Sequence, residues 1–364
     1  MNKYSLSLGK ISGIPIFVHW SFSAIFIYII YVGVSRDFGV WGTAWYMALI
    51  LCLFGCVLLH ELGHSLSARK YGIGTEDITL LPIGGLARLQ RMPKEPMQEL
   101  VIAIMGPMVN VVIASVLIVI YILFFDNFLG NIDIPGPFTL ASIIAKIILL
   151  NIVLVVFNMI PAFPMDGGRV FRALLSFKLD YVKATKIASF VGKAAALGFI
   201  GLGFYLNDFL LMGVGGYVYY SGNRENQMVS MEGQLEGHTI KELIRDRFTV
   251  FQTTDSIRSV MKALTTSLET NFLVLENNNV EGIVTKEMIT EEFKINPDKQ
   301  LKEVMRTDVS GAHPEQSLLE GLEIIRSFRQ PILPVFDQAS RLLLGVLDYH
   351  SLFKFIEIKK SGQK

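Results

Sequence analysis

Up to about Tyr220 the 364-residue chain is a succession of apolar runs, and from Ser221 its charges are spaced as in an ordinary soluble protein. A helix needs about 20 mostly apolar residues to cross a hydrocarbon core of about 30 Å, and several of these runs reach that length. The expected fold class is therefore a polytopic α-helical membrane domain followed by a soluble α/β domain. The hydrophobic content of 51% averages over these two unlike halves. A formal net charge of +1 provides no electrostatic footprint for nucleic acid. The two cysteines, Cys52 and Cys56, lie four apart in one apolar run, so no disulfide framework is expected.

Six spans are expected, at about residues 14–34, 43–70, 97–125, 140–160, 184–206 and 209–220. Lys3 and Lys10 precede the first run, but no small-residue cleavage site follows it, which reads as a retained span rather than a signal peptide. Basic residues flank the N-terminus, the end of the second run, the start of the third and the end of the fourth. The connectors at 36–42 and 126–138 contain Arg36 as their one basic residue. The positive-inside rule then places both termini and the soluble tail in the cytoplasm of a multi-pass protein of the cell membrane. Between the second and third runs, Asp77-Ile78-Thr79-Leu80-Leu81 and Leu86-Ala87-Arg88-Leu89 flank Pro82-Ile83-Gly84-Gly85. This stretch reads as strands or as a re-entrant loop lining a protein-enclosed cavity, where irregular backbone is tolerated.

Near the end of the second run stands His60-Glu61-Leu62-Gly63-His64. Residues four apart on a helix share a face, so His60 and His64 can both reach one metal ion, with Glu61 beside them as a general base. Imidazoles and a carboxylate at membrane depth are costly and point to function rather than to a hydrogen-bonded patch. Cys56 continues the same stripe, but two helical turns separate it from His64. That is about 12 Å of rise against zinc bonds of about 2.0 to 2.3 Å, so Cys56 cannot easily join both histidines. His19, beside Trp20, reads as an interfacial histidine. A third ligand must come from elsewhere, and acids near the apolar runs are few. Asp166 is one, in Asn158-x-x-Pro161-x-x-Pro164-x-Asp166-Gly167-Gly168, where an Asx turn or a helix cap competes with ligation. Gly106, Pro107 and Asn110 in the third run read equally as a kink or as ordinary helix packing.

The tail contains an internal repeat. Lys241-Glu242-Leu243-Ile244 corresponds to Lys302-Glu303-Val304-Met305, and Gly282-Ile283-Val284 to Gly345-Val346-Leu347. Two such units would pack as one pair, neither burying its apolar face well alone. The expected division is a membrane domain at 1–222, a linker at 223–236, repeats at 237–293 and 294–358, and a tail at 359–364.

Taken together, the motif at 60–64, Gly106-Pro107-x-x-Asn110 and the Asn158–Gly167 stretch resemble the site-2 protease family of intramembrane zinc metalloproteases. The chain is similar in particular to the prokaryotic subgroup with six spans and a C-terminal pair of cystathionine-β-synthase (CBS) domains. The resemblance implies one Zn2+ on His60, His64 and Asp166, Glu61 as catalytic base, and Asn158 holding the substrate carbonyl. It implies a membrane-spanning protein as substrate in the lipid bilayer, with the CBS pair regulating or forming a homodimer. CBS pairs often bind adenine nucleotides through Gly-h-x-Thr/Ser-x-x-Asp. Here the first repeat keeps Thr285 of that motif without the Asp, and the second has Asp348 where the hydroxyl would stand. The competing function is a CBS-regulated transporter or channel using the histidine–aspartate cluster as an ion path. Such proteins often carry inverted repeats, and none is visible here.

Overall fold

The protein is described by a computed structural model over residues 5–82, 84–132 and 139–362. Ile83 and residues 133–138 of the connector expected at 126–138 lie outside the described residues. The chain divides into two compact units, Met1–Gln227 and Met228–Lys364.

The first unit begins with β1 (Ser5–Ile11) and β2 (Ile14–His19), followed by α1 (Ser23–Ser35) and α2 (Gly39–Lys70). Next come β3 (Thr75–Leu81), β4 (Gly84–Leu89), α3 (Pro96–Phe124) and the single turn α4 (Phe128–Asn131). The remaining helices are α5 (Leu140–Asn158), α6 (Asp166–Ser176), α7 (Tyr181–Leu206) and α8 (Phe209–Leu235). Among the described residues four helices, α2, α3, α5 and α7, are long and apolar enough to cross a membrane.

The first expected run, 14–34, does not form one helix. Its first six residues are β2, and α1 has 13 residues, or about 20 Å at the helical rise. The reason is a partner distant in sequence. β2 pairs antiparallel with β1 and parallel with β3, Ile16 opposite Ile78. Ile14, Ile16 and Ile78 then close over Leu62 of α2. The four-stranded sheet, in order β1-β2-β3-β4, is thereby packed beside the histidine motif. The stretch around residues 77–89 forms strands, β3 and β4, joined as an antiparallel pair. The apolar run at 209–220 continues without interruption into the polar 223–236 stretch, as far as Leu235, as one helix of 27 residues.

Caps mark several helix starts. Thr139 and Ser142 form a reciprocal capping box on α5. Asp180 accepts the amide of Lys183 to open α7. Gly63 sets how closely α2 and α3 approach, because a Cβ there would stand 2.7 Å from the carbonyl oxygen of Met105.

The second unit contains β5 (Val250–Gln252), α9 (Ile257–Thr266), β6 (Asn271–Glu276), β7 (Asn279–Thr285) and α10 (Lys286–Phe293). After these come α11 (Leu318–Ser327), β8 (Ile332–Phe336), β9 (Leu343–Asp348) and α12 (Tyr349–Gly362). The repeats exchange their leading segments. Ile240 packs with Leu318, Leu322 and Leu347, while Leu301 packs with Ile257, Phe272 and Val284. Arg245 bridges Val346 and Arg306 bridges Ile283. The paired glycines follow from this exchange. A Cβ on Gly345 would lie 2.7 Å from the Arg245 carbonyl oxygen, and one on Gly282 would lie 2.8 Å from that of Arg306.

Candidate metal centre

His60 and His64 sit on one face of α2, buried, with ring centroids 4.8 Å apart. Asp166 is the first residue of α6. Its position follows from the Pro161–Pro164 break, after which the chain turns sharply into a new helix. Gly167 and Gly168 allow that turn to close on itself: a Cβ on Gly168 would stand 2.8 Å from the Phe163 nitrogen. Met165, not Asp166, occupies the N-cap position, and it makes no side-chain cap bond. The Asp166 carboxylate instead faces the two histidines.

Three donor atoms converge. His60 Nε2 lies 3.1 Å from Asp166 Oδ2, His64 Nε2 lies 3.2 Å from the same oxygen, and the two Nε2 atoms are 3.1 Å apart. Tetrahedral zinc with bonds of about 2.0 Å separates its ligand atoms by about 3.3 Å, so the triangle has the dimensions of one face of such a site.

Proton accounting points to the same conclusion. Asn151 Nδ2 donates to the carbonyl of Ile147 at 2.8 Å, which turns its Oδ1 toward Asn110. Asn110 Nδ2 donates to that oxygen at 2.7 Å, leaving Asn110 Oδ1 to accept from His60 Nδ1 at 2.6 Å. On the other ring, His64 Nδ1 donates to the Ile102 carbonyl at 2.7 Å. Both imidazoles therefore carry a proton on Nδ1 and turn Nε2, the atom a metal would take, toward the carboxylate. Two imidazole nitrogens and a carboxylate oxygen aimed at one point suit a cation, and the outer hydrogen bonds to Nδ1 orient the rings for it. Among the described residues, His60, His64 and Asp166 are the one group of this kind.

α3 closes the back of the cluster. A Cβ on Gly106 would collide with His64 Nε2 and stand 2.8 Å from His60 Nε2, so glycine is a steric requirement there. Glu61 points toward the sheet, where its Oε2 accepts the Ala87 amide of β4 at 3.2 Å. Gly85 makes room for it, since a Cβ there would stand 3.0 Å from Glu61 Oε1.

Asn158 ends α5 half-buried and forms none of the cluster's hydrogen bonds. Cys56 lies outside the donor triangle and receives Asn151 Nδ2 at 3.5 Å. His19 hydrogen-bonds Ser21 next to it, away from the cluster. Asn151 and the Ile102 carbonyl went unanticipated. A second asparagine inside an apolar span was the available signal for the first, whereas a backbone carbonyl leaves no trace in sequence. In the second unit Thr285 caps α10 by accepting the Met288 amide, and Asp348 accepts the Ser351 amide at the start of α12. The two repeat-equivalent residues thus have the same structural task.

The chain is similar to several known proteins. The model for peptidase family M50 matches residues 48–139 and 136–199, and the CBS domain model matches residues 301–358. A zinc metalloprotease of Methanocaldococcus jannaschii is 35% identical over 315 residues, covering 83% of this chain and 88% of that protein. The stage IV sporulation protein FB of Bacillus subtilis is 27% identical over 143 residues, 39% of this chain and 45% of that protein. Among solved structures, the site-2 protease from M. jannaschii is 41% identical, covers 61% of this chain and 95% of its own, and superposes with a TM-score of 0.46.

Proposed function

Since the chain belongs to peptidase family M50, the site-2 protease family, and is a peptide hydrolase of the zinc metalloprotease class, we propose that it cleaves peptide bonds in or near membrane-spanning segments of other proteins. The observation that carries this reading is the convergence of two imidazole nitrogens and a carboxylate oxygen among apolar helices, one residue away from a carboxylate. His60, His64 and Asp166 would hold the zinc, leaving a position for water or substrate. Bound there, zinc supplies Lewis acidity toward water and toward a peptide carbonyl.

The remaining chemistry belongs to the chain. Glu61 removes a proton from the attacking water, whose oxygen bonds to the carbonyl carbon. The same proton returns to the amide nitrogen as the carbon–nitrogen bond breaks, so one water is consumed per cut. Asn158 is the candidate for holding the carbonyl oxygen as charge develops on it. β4 ends the sheet order, and its Ala87 amide already meets Glu61. An extended substrate segment pairing along this edge would bring its carbonyls to the base, as strand addition does at other sheet edges. Proline at Leu86 should then impair cleavage while zinc is retained; full activity would reject the pairing.

The same reading includes six crossings, with α1 and the first half of α8 added to the four long helices, and both termini in the cytoplasm. The C-terminal pair would regulate or dimerise, with adenine nucleotide as a candidate ligand near Thr285. The decisive test compares wild type and Glu61→Gln, purified, on candidate membrane substrates. The substitution should abolish hydrolysis with zinc largely retained, and equal activities would overturn the mechanism.

A further inference from the structure

Among the described residues Arg172 is the largest fully buried side chain, and the mechanism above does not use it. It lies on α6, six residues after Asp166, about 9 Å along the helix. Its Nε donates to Glu99 Oε1 of α3 at 2.8 Å, and Nη2 reaches the same oxygen. Nη1 donates to Glu225 Oε1 of α8 at 2.5 Å. The guanidinium also stacks on Phe163, 4.9 Å from the ring centroid, and on Tyr181 at 4.8 Å.

These contacts enclose Asp166 from both sides along the chain. Phe163 lies three residues before it, and Arg172 follows on the helix that Asp166 begins. Glu99 lies one helical turn before Ile102, whose carbonyl holds His64, on the same helix as Gly106 and Asn110. One guanidinium thus joins the helix that presents Asp166 to the helix that fixes both histidines. The one guanidinium hydrogen-bonds two carboxylates, and Arg169 on the same helix adds a second positive charge near Glu99. Glu99 is nearly sealed, with its Oε2 lacking a hydrogen-bond partner among the described residues. Glu225 is 31% exposed at its side chain and is the removable partner. A buried charge is held strictly by its partners because leaving one unpaired is costly, so what moves Glu225 moves Arg172. α8 contributes Glu225 to the first unit and, a few residues on, Met231 and Leu235 to the core of the second.

We propose that Arg172 is a positioning residue that sets Asp166 against the two histidines, and that Glu225 is the handle by which α8 adjusts it. The proposal rests on His60, His64 and Asp166 being the metal ligands. The full-length protein, loaded with cobalt(II), tests it through Glu225→Gln and Arg172→Lys. Lys193→Met serves as control, since it removes the Lys193–Asn223 contact between α7 and α8 without touching the clamp. Glu225→Gln should bind one cobalt per chain and melt close to wild type. Its visible absorption should shift, its metal should leave to a chelator about tenfold faster, in the range for outer-sphere changes, and kcat should fall with KM unchanged. Arg172→Lys, which keeps the charge without the planar fork, should do the same more strongly. Wild-type spectra and off-rates in both variants would overturn the proposal, as would an equal shift in Lys193→Met. A wild type that binds no cobalt would instead defeat the ligand assignment.

Discussion

Asn110→Leu isolates the relay that sets the His60 tautomer. The substitution preserves the branched shape and the number of side-chain heavy atoms but removes the oxygen accepting His60 Nδ1 at 2.6 Å and the amide serving Asn151 at 2.7 Å. With no acceptor, the His60 proton is free to reside on Nε2, where it blocks ligation. Changes of this outer-sphere kind cost about 10- to 100-fold in metal affinity, which is about 1.4 to 2.8 kcal/mol. The stability effect is smaller per bond, because hydrogen bonds between membrane helices are worth about 0.6 kcal/mol on average. The variant should therefore fold, and zinc affinity, read by chelator competition, should weaken before the melting temperature collapses. Asn110→Asp separates the relay from simple packing. Its carboxylate still accepts from His60 Nδ1 and makes the ring a better ligand, but its second oxygen faces Asn151 Oδ1, which is anchored by the Ile147 carbonyl. That variant should bind zinc at least as tightly as wild type and melt lower. Unchanged zinc affinity in Asn110→Leu, or equal weakening in both variants, would refute the tautomer argument.

Three further outcomes follow from the same geometry. Gly85→Val drives a side chain into Glu61 and should cut kcat about 100-fold, the lower end of what a general base contributes, with zinc content unchanged by metal analysis. At the repeat junction, Gly345→Val meets the Arg245 carbonyl and Ile244; it should destabilise the second unit by about 1 to 3 kcal/mol, the usual overpacking cost, seen as a lower denaturant midpoint. Titrating the full chain with ATP, ADP and AMP checks nucleotide sensing, and no binding at millimolar ligand would remove that role from the C-terminal pair.

Much of the site was legible because its determinants are local or rare. The spacing of His60 and His64 requires one helix and one face, and the apolar surroundings make their polarity informative. Asp166 stood out as one of few acids near the spans. Sequence alone left its role open between a cap and a ligand, since both need a carboxylate at a helix start. Tertiary structure favours ligation: Met165 takes the cap position, and packing of α2 and α6 against α3 leaves the histidines within 3.2 Å of the carboxylate. Residues 14–19 misled because an apolar strand and the start of an apolar helix have the same composition. Only pairing with β3, some sixty residues later, makes them a strand. The repeat glycines were visible as a pattern, but their reason, a carbonyl of the other repeat at van der Waals limit, exists only after the leading segments exchange. The chain by itself determined the membrane setting, the His-Glu-x-x-His half of the centre and the doubled tail. The placing of Asp166 against the histidines, the Asn151–Asn110–His60 relay and the Arg172 clamp depended on contacts between helices far apart in sequence. No local propensity encodes such contacts, because each exists only when two distant backbones are packed together.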